Sequence, residues 1–344
     1  MGVGWGMPKD NGPLTMNRTN NLVEVIDVRV YYGTKRRPLR AADGVSLTIG
    51  HGESVGLVGE SGCGKSTLGR AILRLEPLHS GQILFEGLDV AKLSGRRLKD
   101  FRRQAQMIFQ DPFGSLNPRI SVGHAIEEVL QVHGERSPDA RHERAAELFH
   151  AVGLDPAYLR RYPHEFSGGQ RQRIGIARAL AVNPCLLVAD EPVSALDVSV
   201  QVQILNLMKD LKQAMNLSYL FVAHDLAVVR YVSDRIVVMY LGKVVESAPS
   251  SELYARAAHP YTEALLSAVP DVDRGLKARK GKSNRIVLTG DIPSATHVIP
   301  GCPFHPRCHR AKARCSAEVP ALREVSAGRR SACHFAEEVM GKDG

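Results

Sequence analysis

Residues 59–67 read GESGCGKST and match the pattern G-x-x-x-x-G-K-[ST], between an apolar strand, SVGLV, and a helix-forming segment, TLGRAILRL. The glycines let the backbone bend so that successive N–H groups face an anion, and the helix directs its positive end to the same point. We expect Lys65 to reach the β- and γ-phosphates of a nucleotide and Ser66 to ligate Mg²⁺. The expected cradle comprises Gly59, Glu60, Ser61, Gly62, Cys63, Gly64, Lys65, Ser66 and Thr67.

Two carboxylates and a histidine stand at the ends of predicted strands. Asp190 and Glu191 follow the apolar run CLLVA, and His224 closes YLFVAH, the next strand along the chain. Ligands of open α/β sheets bind beyond the carboxyl ends of the strands. We therefore expect Asp190 to hold a nucleotide-bound Mg²⁺ and Glu191 to act as general base on the attacking water, with His224 and Lys65 completing the catalytic group. A carboxylate that caps the next turn and a structural histidine are the alternatives.

The length and composition of the chain fit a globular protein. Its 344 residues correspond to about two domains at ~150 residues each. Hydrophobic residues make up 44% and charged residues 24%, which excludes a disordered, collagenous or coiled-coil protein. Strands and helices alternate, with a mainly helical stretch at 115–182, and this order is typical of an α/β fold whose sheet is parallel at its centre. After Pro249 the pattern becomes irregular.

The charge of the chain is unevenly distributed. The net charge is +9, and the last 74 residues contain 14 Lys and Arg against 8 Asp and Glu. A basic tail can bind nucleic acid or anionic lipid, or increase solubility. The chain has one Trp and no aromatic-rich basic run, which argues against a surface on which the bases of single-stranded nucleic acid stack. No apolar run reaches the ~18–20 residues of a membrane span, and the N-terminus lacks the regions of a signal peptide. We therefore expect exposure to the cytosol.

A third motif carries a resemblance to a known family. The segment YPHEFSGGQRQRIGIARAL, residues 162–180, places Gln170 twenty residues before Asp190 and resembles the signature motif of ATP-binding cassette (ABC) proteins. The resemblance implies an α/β fold, a P-loop NTPase ABC cassette with a RecA-like core, an antiparallel β subdomain and a helical subdomain, plus a small C-terminal Cys-rich extension. It implies a flexible arm at 1–20, a nucleotide-binding domain at 21–250 with its helical subdomain at about 112–182, and the extension at 251–344.

The same resemblance implies roles for individual residues. Tyr32 resembles the aromatic residue that stacks on adenine, with the preceding tyrosine as the alternative. Gln110 resembles the Q-loop glutamine that senses Mg²⁺ and contacts the membrane partner, Asp197 lies in the D-loop, SALD, and His224 resembles the switch histidine. The signature residues, which in the family face the γ-phosphate bound by an opposite subunit, are Ser167, Gly168, Gly169 and Gln170.

Longer sequence segments indicate a subgroup within the family. GESGCGKST, FQDPFGSLNPR and ADEPVSALDVSVQ, with HPYTEALLSAVP and PGCPFHPRC in the tail, resemble the ATPase subunits of oligopeptide and dipeptide importers. This implies a second ABC ATPase subunit, identical or homologous, two integral membrane permeases and an extracytoplasmic solute-binding protein, with no nucleic acid bound. The chain would lie peripherally on the cytoplasmic face of the inner membrane, with the segment around Gln110–Val129 forming the groove that docks a permease helix.

Three alternatives to a peptide importer remain. Importers of nickel, glutathione or another small solute share these features. A soluble ABC ATPase that acts on nucleic acid or ribosomes usually has two cassettes or a long insertion, whereas 125 residues separate Lys65 from Asp190 here. A regulatory cassette that does not hydrolyse ATP is at odds with intact Glu191 and His224.

Cysteines cluster at the end of the chain. Such clustering in a reducing cytosol suggests a metal site before it suggests disulfides, in a segment too rich in Pro and Arg to build its own apolar core. Thiolates could ligate a [4Fe–4S] cluster, or Zn²⁺ with His305 or His309 as a substitute ligand. Resemblance to peptide-importer tails, some of which carry an iron–sulfur cluster, favours iron, and four reduced thiols are the alternative. The four cysteines in the last 43 residues are Cys302, Cys308, Cys315 and Cys333.

Overall fold

A computed structural model describes residues 21–34, 36–269, 286–288, 290 and 293–341, so the arm expected at 1–20 lies outside the described residues. The strands are β1 (Asn21–Thr34), β2 (Arg37–Gly50), β3 (Ser54–Val58), β4 (Ser80–Phe85), β5 (Leu88–Asp89), β6 (Ala105–Ile108), β7 (Leu186–Asp190), β8 (Ser218–Ala223), β9 (Arg235–Tyr240), β10 (Lys243–Pro249), β11 (Arg323–Ser326) and β12 (Arg329–Ser331). The helices are α1 (Lys65–Ile72), α2 (Gly95–Gln104), α3 (Val122–Val132), α4 (Pro138–Ala151), α5 (Gly168–Leu180), α6 (Val198–Met215), α7 (Leu226–Val232), α8 (Ser250–Ala255), α9 (Pro260–Ala268), α10 (Ala313–Ala317) and α11 (Ala336–Val339). Short 3₁₀ helices cover Val90–Lys92, Pro156–Arg160, Pro163–Glu165 and His305–Arg307.

The larger sheet carries the nucleotide motifs. Its strand order is β11-β12-β10-β9-β3-β8-β7-β6, and the five strands from β9 to β6 run parallel. Strands β3, β7 and β8 are buried along their whole lengths, which explains their near-continuous apolar sequences, because both faces of a parallel sheet are covered. Their carboxyl ends bring the loop after β3, Glu191 and His224 to one edge of the sheet. The prediction of an α/β sheet that is parallel at its centre is confirmed.

The smaller sheet is antiparallel, with the order β2-β1-β4-β5. Strands β1 and β2 form a long pair that closes at the Thr34↔Arg37 end. The two sheets enclose α1, and Val25, Leu57 and Ile72 are almost completely buried in the core between them. Complete burial of such a side chain contributes roughly 1.5–3 kcal/mol to stability, so this core holds the start of α1 firmly against both sheets.

Helices α3, α4 and α5 form the helical part of the molecule. They share an apolar core in which Ile126, Phe149 and Ile174 are fully buried. The side chains of Ser121 and Ser137 cap α3 and α4, each accepting a backbone N–H at 3.3 Å. The helical stretch predicted at 115–182 is thus three helices within residues 122–180, with two 3₁₀ helices between α4 and α5.

The extension adds strands to the larger sheet. Strand β12 pairs antiparallel with β10, and β11 pairs with β12. The sequence after Pro249 reads as irregular because β11 and β12 are four and three residues long, and a strand so short shows no periodicity. The extension also packs on the cassette, since Cys302, Phe304 and Cys315 belong to the main apolar core.

A buried ion pair fastens the extension to the cassette. Arg329 of β12 donates to Glu246 of β10 at 2.6 Å, with side chains 5% and 0% exposed, although 83 residues separate them in sequence. Burial raises the pKa of Glu246, and the guanidinium of Arg329 opposes this effect. The same carboxylate accepts the N–H of Ala258 at 2.9 Å. Removing one partner of such a pair leaves an uncompensated buried charge, so the extension and the cassette are structurally interdependent.

Candidate nucleotide-binding site

The phosphate loop, residues 59–67, contains glycines whose backbone angles or close contacts exclude a side chain, Gly62 and Gly64 among them. Gly62 and Gly64 have φ values of +79° and +100°, which residues with a Cβ rarely adopt. A Cβ on Gly64 would lie 1.7 Å from the carbonyl oxygen of Ala41, whereas a Cβ on Gly62 would meet nothing within 4 Å. Gly64 therefore permits close packing on β2, and Gly62 faces open space. Helix α1 begins at Lys65, so its free N–H groups point into the loop.

Lys65 lies inside the phosphate loop. Its Nζ donates to the carbonyl oxygens of Gly59 at 2.8 Å and Glu60 at 3.0 Å, and the residue is 4% exposed. The Cys63 sulfur lies 3.8 Å from the same Nζ, and burial raises the pKa of this thiol. Cys63 is therefore a neutral neighbour, and a single positive charge is fixed where phosphate oxygens would enter.

Ser66 and Asp190 connect the phosphate loop to the end of β7. The Ser66 hydroxyl donates to Asp190 Oδ1 at 2.6 Å, and Asp190 is 1% exposed. Burial raises the pKa of Asp190, and Ser66 and nearby cations oppose this rise. Asp190 Oδ2 has no hydrogen-bond partner among the described residues. A hydroxyl beside a carboxylate with a free oxygen is a donor set that suits Mg²⁺.

Arg70 is a further residue at this carboxylate, and no sequence motif indicates it. Its Nη2 lies 3.7 Å from Asp190 Oδ2. Arg70 follows Ser66 by four residues on α1, which places both side chains on one helix face. That spacing is the signal in the sequence that could have indicated its position.

Glu191 joins side chains from three segments. Its Oε2 accepts a hydrogen bond from the Gln110 amide at 3.1 Å and lies 3.2 Å from His224 Nδ1. Glu191 has a φ of +45°, and such backbone strain in a residue other than glycine is concentrated at functional sites. Its N–H donates to the carbonyl of Val222 at 2.9 Å, which ties the strained turn to β8. This arrangement can position and polarise a water molecule beside Asp190.

Tyr31 and Tyr32 point to opposite faces of β1. Tyr31 stacks on His79 with ring centroids 4.6 Å apart, and its hydroxyl donates to Asp43 at 2.5 Å. Tyr32 packs on the core beside α1; burial raises the pKa of its hydroxyl, and a hydrogen bond with Thr67 opposes this effect. Tyr31 is thus engaged away from the phosphate loop, and Tyr32 contacts it.

The signature residues cap α5 on a separate exposed surface. The Ser167 hydroxyl accepts the N–H of Gln170 at 3.3 Å, and Gln170 Oε1 accepts the N–H of Ser167 at 3.0 Å. A Cβ on Gly169 would lie 2.5 Å from Val200, so glycine lets α5 pack on α6, which follows the exposed Asp197. Between the described residues, no hydrogen bond or ion pair links Ser167 or Gln170 to the phosphate loop.

Comparison with known proteins finds two matching regions. Residues 42–194 match the family described as ABC transporter, and residues 245–315 match the oligopeptide/dipeptide transporter C-terminal region. Over 330 residues, 94% of this chain and 99% of the relative, the chain is 50% identical to the oligopeptide transport ATP-binding protein AppF of Bacillus subtilis. The chain belongs to the ABC transporter ATP-binding family. It is also 51% identical over 312 residues, 91% of this chain and 97% of the relative, to the putative peptide import ATP-binding protein BOV_A0347 of Brucella ovis.

Solved structures of ABC cassettes confirm the predicted fold. The ATP-binding cassette MJ0796, in a dimeric post-hydrolysis state bound to ADP and Pi, is 30% identical with a TM-score of 0.60, over 66% of this chain and 98% of that one. The cassette cbiO1 of Clostridium perfringens is 25% identical with a TM-score of 0.61, over 69% and 92%. The chain is an ABC ATPase that binds ATP with Mg²⁺ and hydrolyses it. None of the helices in the described ranges has the length and apolar composition of a membrane span.

A groove on the ABC ATPase lies between β6 and the helical part of the molecule. Its volume is about 520 Å³. Leu75, Phe109 and Val132 are among its lining residues, and Leu75 and Val132 are 52% and 61% exposed. Ser115 and Asn117, from the segment FQDPFGSLNPR, also line it. Exposed apolar side chains in a concave surface are typical of an interaction site, so we name this feature the β6–α3 groove.

The structure of the ABC ATPase brings the four C-terminal cysteines together. Cys302, Cys308, Cys315 and Cys333 line one cavity of about 20 Å³. Burial raises the pKa of Cys302 to about 11 and that of Cys333 to about 12, so both thiols are protonated at neutral pH. Over the described ranges, no group of three or more His, Cys, Asp or Glu side chains is arranged to hold a metal ion. The cavity thus gathers four cysteines without the arrangement of a metal site.

Proposed function

We propose that this ABC ATPase is the motor subunit of a membrane importer that takes up oligopeptides or dipeptides. The observation that carries the proposal is the C-terminal region at 245–315, which matches that of oligopeptide/dipeptide transporters and begins within β10, a strand of the cassette sheet. Relatives that are 50% and 51% identical over nearly their whole lengths are named for peptide transport or import. Importers of nickel or glutathione, and an ATPase acting on nucleic acid or ribosomes, remain the competing functions.

The proposed mechanism assigns a role to each residue around the phosphate loop. Lys65 stabilises the β- and γ-phosphates, and Ser66 and Asp190 hold Mg²⁺ directly or through water. Glu191 is the general base, since it follows the metal-binding Asp190, and its contacts with Gln110 and His224 both use Oε2 and leave Oε1 to accept a proton from water. Gln110 and His224 orient that carboxylate from two other segments and sense the state of the nucleotide.

The remaining predicted residues act at the edges of the nucleotide. Tyr32 stacks on adenine, which its position against Thr67 supports. The exposed N-terminus of α5, with Ser167 and Gly168, contacts the γ-phosphate held by a second ABC ATPase subunit, because free N–H groups there attract anions. Asp197 lies beside this surface and contacts the same partner. We place the nucleotide-binding domain at 21–250, its helical subdomain at about 112–182 and the extension at 251–344.

The proposed assembly lies on the cytoplasmic face of the inner membrane. Two integral membrane permeases form the translocation path, and an extracytoplasmic solute-binding protein delivers the peptide. The β6–α3 groove accepts a cytoplasmic helix of a permease, because its apolar lining is exposed and Gln110 follows Phe109 at its edge. Movement of the docked helix can therefore shift Glu191 through the side chain of Gln110, which donates a hydrogen bond to it.

The assembly is tested by affinity purification of the tagged chain from detergent-solubilised membranes of its host, with an uptake assay for labelled peptides. We expect integral membrane subunits to co-purify and peptide uptake to be lost when the gene is deleted. Leu75→Asp with Val132→Asp should abolish co-purification, since charges in an apolar groove oppose docking. Val319→Asp, a change at a site that is 64% exposed outside the groove, is the control and should have no effect.

Other results of this test would favour the competing functions. Co-purification of DNA or ribosomes without membrane proteins would contradict the importer. Normal peptide uptake in the deletion strain, with loss of nickel or glutathione uptake, would retain the importer and change its cargo.

For the four cysteines we propose an iron–sulfur cluster that links the turns of the extension. Their common cavity supports this, because four soft thiolate donors suit iron–sulfur clusters. Binding would require a rearrangement of the cysteine side chains, because they do not form a metal site as they stand, and the loss of the protons of Cys302 and Cys333. The cluster would supply a covalent link between distant turns, and its role would be structural. Zn²⁺, and four reduced thiols without a metal, are the alternatives.

Metal analysis after anaerobic purification tests this cysteine site. We expect about four irons per chain and visible absorption typical of a [4Fe–4S] cluster. Both should be lost when Cys308 and Cys315 are replaced by Ser, whereas Cys185→Ser, outside the cluster, should retain them. One zinc per chain would show that the site binds Zn²⁺ and not an iron–sulfur cluster. If neither metal is found, the four cysteines are reduced thiols without a metal.

A further inference from the structure

Glu60 of the phosphate loop is held at three points. Its carboxylate accepts two hydrogen bonds from Arg307, at 2.8 Å from Nη1 and 3.0 Å from Nη2. Its N–H donates to the hydroxyl of Tyr261 at 2.8 Å, and its carbonyl accepts from Lys65 Nζ at 3.0 Å. Arg307 and Tyr261 both belong to the extension. The extension therefore directly contacts the loop in which Lys65 lies.

The partners of Glu60 are themselves rigidly placed. The side chain of Arg307 is 7% exposed, lies over the ring of Tyr240 and donates to the Tyr240 hydroxyl at 3.4 Å. Tyr240, Tyr261 and Phe304 pack against one another with ring centroids 4.8, 5.2 and 5.3 Å apart. Strand β9 supplies the first of these rings and the extension supplies the other two. A bidentate guanidinium–carboxylate pair on such a support has a fixed geometry as well as a fixed charge.

The charge of Glu60 is a problem for a loop that binds polyphosphate. A carboxylate next to the phosphate-binding backbone repels the anionic nucleotide unless a cation neutralises it. Arg307 neutralises this carboxylate and leaves Lys65 free to act on the phosphates, because Lys65 contacts only the carbonyl oxygen of Glu60. Two cations from different parts of the chain thus hold opposite ends of one loop residue.

We propose that Arg307 is a positioning residue for ATP binding, acting through Glu60 on the conformation and charge of the phosphate loop. The extension is then part of the nucleotide site and not merely attached to the cassette. The proposal rests on ATP binding and is independent of what the transporter carries, so failure of the peptide-import proposal would leave it standing.

The first test compares Arg307→Met with the unaltered full-length chain. We expect the Kd of MgATP, measured by calorimetry, to rise about tenfold or more, because a partly buried carboxylate loses two charge-assisted hydrogen bonds beside the phosphates. The kcat at saturating ATP should change by less than about twofold, since Glu191 and its partners are untouched. An unchanged Kd, or a fall in kcat without a change in Kd, would overturn the proposal.

Arg310→Met is the matched control within the extension. Arg310 forms a bidentate pair with Glu263, at 2.9 and 3.1 Å, so this change removes a similar ion pair that does not contact the phosphate loop. We expect its Kd for MgATP to stay within about twofold of the unaltered chain. An equal weakening in Arg310→Met would show that any damage to the extension has this effect, and would contradict a specific role for Arg307.

A rescue experiment separates charge from folding. Adding Glu60→Gln to Arg307→Met removes the unpaired carboxylate, so the double variant should bind MgATP more tightly than Arg307→Met alone. If it binds equally weakly, Arg307 acts through the fold of the extension and the proposal is wrong. If Arg307→Met does not fold, the same measurement is made on Arg307→Lys. Its Kd for MgATP should rise about threefold, because lysine cannot form the bidentate pair. An unchanged Kd in Arg307→Lys would then overturn the proposal.

Discussion

Replacing Glu191 by Gln is expected to lower the rate of ATP hydrolysis by about 10²–10⁴-fold, the range for loss of a positioned general base, with little change in ATP affinity. An amide of the same shape can still contact Gln110 and His224 but cannot take a proton from water. Phosphate release at saturating MgATP measures the rate, and calorimetry measures the Kd of MgATP.

The same variant should also trap two cassettes around ATP. Without hydrolysis the nucleotide continues to favour the closed state, so size-exclusion chromatography should show a dimer that depends on MgATP. Glu143→Gln, on the exposed surface of α4, is the control and should hydrolyse ATP normally. Normal hydrolysis in Glu191→Gln would assign the base to another residue.

Replacing Lys65 by Ala is expected to abolish ATP binding or to reduce hydrolysis by at least about 10²-fold. The ammonium is enclosed by the carbonyls of Gly59 and Glu60, so its removal leaves a loop of carbonyl dipoles facing the phosphates with no positive charge between them. Calorimetry with MgATP and a phosphate-release assay measure the two effects.

A surface lysine provides the comparison for this change. Lys92 is 80% exposed and pairs with Asp89 at 3.0 Å. Lys92→Ala therefore removes the same charge without removing a contact to the phosphate loop. It should bind and hydrolyse ATP like the unaltered chain. Undiminished ATPase activity in Lys65→Ala would exclude the loop at 59–67 as the nucleotide site.

The parts of this site that are predictable from sequence are those in which local pattern determines position. The loop after β3 and the residues that follow β7 and β8 come to one edge because parallel strands present their carboxyl ends together, and apolar runs identify those strands. The helical stretch at 115–182 likewise follows from its apolar spacing, and α3, α4 and α5 lie within it. The contacts of Glu191 with Gln110 and His224 follow from the same topology.

The parts that could not be predicted depend on partners distant in sequence. Arg307 and Glu60 are 247 residues apart, and nothing near either residue indicates the other. Strand β12 has three residues, and its assignment depends on β10 being available to pair. The positive φ of Glu191 likewise results from packing around the turn after β7, since glutamate has no intrinsic preference for that conformation.

The pairing of β12 with β10 has a consequence for shortened forms of the protein. A chain that ended before the extension would present β10 as an open edge, with unpaired N–H and C=O groups beside Val244, Val245 and Ala248. Such a strand is a template for other chains, and the uncompensated carboxylate of Glu246 would destabilise the monomer further. Proteolytic loss of the C-terminal region would therefore produce an aggregating fragment in place of a smaller working ATPase.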